Sequence, residues 1–336
     1  MTETTHDLCA VGNAIVDVLA PCDDAFLERE GLVKGSMMLI DEARAVSLYA
    51  AMAAGVEASG GSAGNTIAGA ASFGGRAAYI GKVAEDQLGQ VFRHDMQAIG
   101  ATFDTAYLSS GPATGRSLIN VTGDGQRTMS TFLGAANQLT PDDIDADLVR
   151  NSEILYLEGY LFDPAPARAA FEAAAACAHA AGRKVAITLS DSFVVHRWRS
   201  ELLAFIEASA DIVLANEAEL AALFETEDFD TAAARLGRIV DIAAVTRGAA
   251  GSVVFGNGGA ERVEVAACPV DKVVDTTGAG DQYAAGLLLG LARGLSLEDA
   301  GKLGSLAAAE VIAHWGPRPM VPLERLARNA GLNLGA

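Results

Sequence analysis

EILYLEGYLFDPAPARAAFEAAAACAHAAGRKVAITLS, residues 153–190, sets two short apolar runs at the ends of a long Ala-rich stretch. Residues 154–157 are too short and too continuously apolar for a surface helix, so they read as a buried strand. Residues 165–181 read as a helix, and 184–189 as a second strand. A strand, a helix and a strand in that order make a parallel pair with a crossover, and such strands are buried on both faces. The rhythm continues downstream through a strand at 212–215, a helix at 217–224 and a strand at 243–246. Upstream, the run 8–11 breaks at Gly12-Asn13 and resumes at 15–18, while a helix within 60–75 leads to a strand at 77–81. The fold class is α/β: a doubly wound, mainly parallel central sheet with helices on both faces.

Two segments break the rhythm. Residues 17–41 hold short β-like pieces. Residues 102–137 contain 117–121 and 128–132 flanking the turn Gly123-Asp124-Gly125, the pattern of a hairpin. They are expected to form a small β lid inserted into a large domain made of 1–16, 42–101 and 138–336.

Composition limits the function. About half of the 336 residues are apolar, and 24 basic against 43 acidic side chains leave a formal charge of −19. Binding to nucleic acid or to an anionic membrane needs clustered Lys and Arg, which such a chain lacks. A phosphate-bearing ligand would need positive potential built locally. Cys9, Cys22, Cys177 and Cys268 are scattered, with neither zinc nor disulfide spacing, and read as free thiols. The start of the chain shows no basic segment followed by an apolar one, and no apolar run approaches ~20 residues. A cytoplasmic protein is expected.

The chemistry concentrates at 275–281, DTTGAGD, directly before an apolar helical pattern through 293. Glycines at a helix start let backbone N–H groups point at an anion, and the helix dipole adds positive potential. Asp281 falls in the first turn, where a carboxylate can take the proton of an attacking hydroxyl. Alternative nucleotide scaffolds fail. There is no G-x-x-x-x-G-K-[ST], Tyr283 stands where a dinucleotide fingerprint needs its third glycine, and protein-kinase motifs are missing.

DTTGAGD and the glycine-rich segment at 60–89, GGSAGNTIAGAASFGGRAAYIGKVAEDQLG, resemble the two signatures of the ribokinase-like (PfkB-type) carbohydrate and nucleoside kinases. Asn216-Glu217-Ala218-Glu219 is similar to the family's N-x-x-E element. Thr246-Arg247-Gly248-Ala249-Ala250-Gly251 is similar to its T-x-G-x-x-G, and all four elements stand in the family's order. The resemblance implies a kinase with ATP as co-substrate, Asp281 as base, and Gly278, Ala279 and Gly280 as the anion hole. Asn216 and Glu219 would organise Mg²⁺ through water, although Asn is also a good helix N-cap. Thr246, Gly248 and Gly251, with Asn216, would lie along ATP. Parts of the family use a monovalent cation, and no residue pattern here decides that point.

For the acceptor, Asn13 and Asp17 can offer an amide and a carboxylate to a vicinal diol, completed by Ser62, Gly64 and Asn65. Within the family the lid segment is most similar to that of the adenosine kinases: Val121-Thr122-Gly123-Asp124, then Arg127, then Gly134-Ala135-Ala136-Asn137. On that reading Arg127 steadies the γ-phosphate. Ile15, Met38, Met129 and Leu133 face a purine, with Tyr160, Leu161 or Phe162 below. A kinase for ribose, fructose or a related sugar, an inosine or guanosine kinase, and a silent nucleoside-binding relative are the alternatives. Either a monomer or a homodimer fits.

Overall fold

The computed structural model describes residues 4–334. Its larger sheet contains β1 (His6–Val11), β5 (Ala77–Ile80), β8 (Ser152–Glu158), β9 (Lys184–Thr188), β10 (Ile212–Asn216), β11 (Ile242–Thr246), β12 (Ser252–Gly256) and β13 (Glu261–Val265). The spatial order is β13-β12-β11-β10-β9-β8-β1-β5. The six strands from β5 to β11 are parallel; β12 and β13 add an antiparallel edge that the sequence reading did not anticipate. Helices cover both faces with separate apolar cores. Ala165–Ala180 and Ser192–Ser209 lie on one face; Ser62–Ser72, Ala279–Ala292 and Leu297–Val311 lie on the other.

The smaller sheet is formed by β2 (Ile15–Pro21), β3 (Met37–Leu39), β4 (Val56–Ser59), β6 (Thr114–Val121) and β7 (Arg127–Gly134), in the order β3-β7-β6-β2-β4. Its limits differ from the expected 17–41 and 102–137. Residues 42–59 belong with it, because β4 pairs with β2 and the helix Glu42–Ala51 packs on β6 and β7. Residues 102–108 instead bridge to the larger domain at Ala78 and Ala84. Backbone pairing decides both points, and neither segment carries enough apolar alternation to show it.

Chain order places β1 between β5 and β8, so successive connections leave it in opposite directions. A crevice opens at such a switch point, beyond the carboxyl ends of the strands. Asn13 follows β1, and Glu158, Thr188, Asn216 and Thr246 end β8, β9, β10 and β11. All five side the same cavity. Among the described residues no helix is long and apolar enough to cross a membrane, and the four cysteines are free thiols.

Candidate active site

A cavity of about 390 Å³ lies between the two sheets, a size suited to a small organic ligand. Its far wall is the start of the helix Ala279–Ala292. Gly278 caps that helix at φ +77°, and a Cβ there would lie 2.6 Å from Pro317, so the turn demands glycine. The N–H of Ala279 donates to the Thr276 carbonyl at 3.2 Å. The N–H groups of Gly280 and Asp281 have no carbonyl one turn back, as at any helix start, and remain for an anion.

Asp281 lines the cavity as expected. Its Oδ1 accepts from Ser62 Oγ at 2.6 Å and its Oδ2 from Asn65 Nδ2 at 3.0 Å. Burial pushes its pKa up to about 6, and these two donors hold it from rising further. The carboxylate is therefore ionised at neutral pH and more basic than an exposed aspartate. Asn65 is itself oriented from outside the expected set: Arg318 Nε donates to Asn65 Oδ1 at 3.4 Å, which leaves Nδ2 for Asp281.

Asp17, on β2, also faces the cavity, and burial raises its pKa to about 7 against the pull of the nearby Arg318. A Cβ on Gly60 would fall 2.3 Å from the Asp17 carboxylate, so only glycine lets that backbone pass. Asn13 lines the same end and is 3% exposed. Its Nδ2 donates to Glu158 Oε1 at 2.7 Å. Glu158 is 1% exposed, and burial lifts its pKa to about 7. Sequence reasoning missed it, since it ends an apolar strand and has no motif around it.

The apolar wall is contributed by the small sheet. Ile15, Met129 and Leu133 line it as expected, and Met38 does not. Met38 packs beneath the sheet with Val18, Phe26 and Leu118, while Met37 and Leu39 face the cavity. Alternation along β3 makes this inevitable once Met37 is in register with Met129. Opposite, Tyr160 and Phe193 lie with ring centroids 6.0 Å apart, whereas Leu161 and Phe162 are core residues. Gly64 does not line the cavity either; the third residue of its helix points back toward Arg318, and Gly61 and Ser62 take the cavity edge.

Arg127 departs most from expectation. It is buried in an ion pair with Asp275, does not line the cavity, and stacks within 5.5 Å of the Trp315 ring. Asp275 also accepts from the N–H groups of Thr277 and Gly316, each at 3.1 Å. A buried carboxylate is the strongest available partner for a guanidinium, so the small sheet is tied to the loop that leads into the helix Ala279–Ala292.

Asn216 and Glu219 line the cavity's other end and form a reciprocal cap. Asn216 Oδ1 accepts from Glu219 N–H at 2.9 Å, Glu219 Oε2 from Asn216 N–H at 2.9 Å, and Glu219 Oε1 from Asn216 Nδ2 at 2.7 Å. Burial raises Glu219 to about 7. Thr246 lines the cavity, while Gly248 and Gly251 stand in the turn beyond it at φ +54° and +86°.

Residues 32–323 match the pfkB family carbohydrate kinases. The chain is 29% identical to the adenosine kinase of Saccharomyces cerevisiae over 93% of its length and 96% of the yeast protein. Among solved structures, the adenosine kinase from Sinorhizobium meliloti is 56% identical with a TM-score of 0.90, covering 97% of this chain and 99% of that one. A probable sugar kinase from Rhizobium etli is 49% identical with a TM-score of 0.92, covering 98% and 100%. The glycine-built helix start, the buried carboxylate beside it and these similarities agree: the chain belongs to the PfkB family of carbohydrate kinases and is an ATP-dependent kinase with an alcohol as acceptor.

Proposed function

We propose that the enzyme transfers the γ-phosphoryl group of ATP to the 5′-hydroxyl of adenosine, producing AMP and ADP. The observation that carries this reading is the cavity's division. Asp17, Asn13 and Asp281 stand at one end, and Ile15, Met37, Leu39, Met129 and Leu133 cover an adjoining space. A free sugar would set hydroxyls against those apolar side chains and leave them unpaired, whereas a purine matches them. The similarity to the Sinorhizobium adenosine kinase supports the same choice over the sugar acceptor suggested by the Rhizobium relative.

In this reading the diol end holds the ribose and the apolar wall holds the base. Asp281 accepts the 5′-hydroxyl proton while the N–H groups of Gly280 and Asp281 receive the transferring phosphoryl. Among the described residues no group of three His, Cys, Asp or Glu side chains gathers to hold a metal. One carboxylate with one amide suits a hard cation held mainly by phosphate oxygens and water, as Mg²⁺ prefers. Glu219 and Asn216 would meet its water shell, and the ion would spread the charge of the transferring group.

ADP release measured with adenosine, inosine, guanosine, ribose and fructose tests the proposal. Adenosine should give the highest kcat/KM; a higher value with ribose or fructose rejects it. Asp281→Ala should lower kcat by on the order of 10²–10⁴.

A further inference from the structure

Three atoms decide what the diol end can recognise. Glu158 Oε1 accepts from Asn13 Nδ2 at 2.7 Å, and Glu158 Oε2 accepts from the Ala63 N–H at 2.9 Å, at the start of the helix Ser62–Ser72. Both oxygens take N–H donors, so the group presents acceptors to Asn13 and to Ala63. Such a partner sets which way the Asn13 amide lies, because an amide oxygen turned toward Glu158 Oε1 would set one acceptor against another and lose the hydrogen bond. The nitrogen is committed inward. Asn13 Oδ1 is left buried, with no hydrogen-bond partner among the described residues, on a side chain that lines the cavity. The arrangement is tightly built: a Cβ on Gly12 would lie 2.6 Å from Glu158 Oε2.

We infer that Glu158 is a positioning residue for acceptor specificity: it turns the Asn13 amide so that the cavity meets an oxygen, making the site read hydroxyl donors. With the Asp17 carboxylate on the same wall, the two acceptors require two donors, which a vicinal diol supplies. An analogue lacking one of those hydroxyls leaves a buried acceptor unpaired, and that mismatch is the source of discrimination. The inference rests on the proposed nucleoside reading, and it names a residue that never touches the reacting atoms.

Its chemistry allows a polarity swap. In Glu158→Gln the single carbonyl oxygen is drawn to the Ala63 N–H, at the positive end of the helix. The new NH₂ then faces Asn13, whose amide must turn over and present Nδ2 to the cavity. Adding Asn13→Asp restores the pattern: the glutamine NH₂ donates to the aspartate, and the other aspartate oxygen again faces the ligand. Charge and side-chain size are conserved in the pair.

Steady-state kinetics with adenosine, 2′-deoxyadenosine and 3′-deoxyadenosine on the wild type, Glu158→Gln and the double variant test this. The single variant should raise KM for adenosine roughly 10- to 100-fold, with KM for ATP unchanged. Its preference for adenosine over at least one deoxy analogue should fall by a similar factor. The double variant should recover that preference, which a generic loss of packing would not allow. Unchanged preferences against both analogues in Glu158→Gln overturn the inference, as does a double variant that fails to fold or to recover. Wild type inactive on adenosine would instead reject the nucleoside reading; the three proteins are then compared on whichever acceptor releases ADP and on its deoxy analogues.

Discussion

The hydrogen bond from Ser62 Oγ to Asp281 Oδ1, 2.6 Å long, makes the ionisation of the proposed base adjustable. A bond to a charged acceptor contributes about 1.5–3 kcal/mol, and 1.36 kcal/mol corresponds to one pKa unit. The cavity admits water, which can replace part of a lost donor, so Ser62→Ala should raise the Asp281 pKa by about one unit. The starting value is about 6, and the base works only when ionised. The acid limb of kcat should therefore move from near pH 6 toward about pH 7. The variant then loses about fivefold more activity than the wild type at pH 6, under twofold at pH 7 and almost nothing at pH 8. Asp17, Glu158 and Glu219, each raised to about 7, titrate in the same window, but they are common to both proteins and cancel in the ratio. Profiles of kcat from pH 5 to 9, with ADP release as readout and both substrates saturating, give the comparison. A loss of the same factor at every pH, with the limb unmoved, would show that Ser62 serves the substrate and leaves the base untouched.

Breaking the Arg127–Asp275 pair, whose side chains are 7% and 5% exposed, leaves one buried charge unmatched; Asp275→Asn should cost about 3–5 kcal/mol in urea unfolding. A change below about 1 kcal/mol would show the pair to be solvated and the tie between the small sheet and the loop at Asp275 weak. Met37→Ala should raise KM for adenosine by roughly 5- to 30-fold at little cost in stability, from the apolar contact removed. Met38→Ala should do the reverse, losing about 2 kcal/mol of stability with KM unmoved; equal effects on KM would refute the orientation of β3. Asp17, Glu158, Glu219 and Asp281 all have folded pKa values raised by burial, so between about pH 4 and 7 these four bind more protons in the folded state than in the unfolded one, and they outnumber His6, which burial shifts the other way. Their contribution is full at the acid end and lost as pH rises, so the unliganded enzyme should melt at a higher temperature at pH 5.5 than at pH 8. Carboxylates held low, such as Asp7, lose their contribution only below that window. Calorimetry showing the opposite trend would mean that the four groups are better solvated than their burial indicates.

What could be read from the chain and what could not divide along a physical line. DTTGAGD at 275–281 is a local device: its glycines, its helix and its carboxylate are contiguous, and Asp281 faces the cavity as that pattern implies. The parallel strands were readable for the same reason, since burial on both faces makes each an unbroken apolar run. Where strand identity depends on a partner, local reading fails. Val56–Ser59 is a strand because β2 lies beside it, and Met37-Met38-Leu39 offers no polar residue to show which face is inward.

The site's electrostatics fall on the unreadable side of that line. Arg127 is permanently charged and sits on the hairpin, so a phosphate was the natural partner to expect; the carboxylate that takes it lies 148 residues away. Glu158 and Asn13 are separated by 145 residues and meet only because β8 is the neighbour of β1 in the sheet. Arg318 reaches Asn65 across 253 residues. In each case a buried group is matched by one distant in sequence, as low dielectric requires, since a charge left unmatched there costs more than the fold can spare. A motif can therefore disclose a glycine-capped helix start with a carboxylate facing the cavity, which uses backbone and one side chain. The direction in which Asn13 and Asn65 turn their amides is set by Glu158 and Arg318, and it becomes legible only when the sheet order is known.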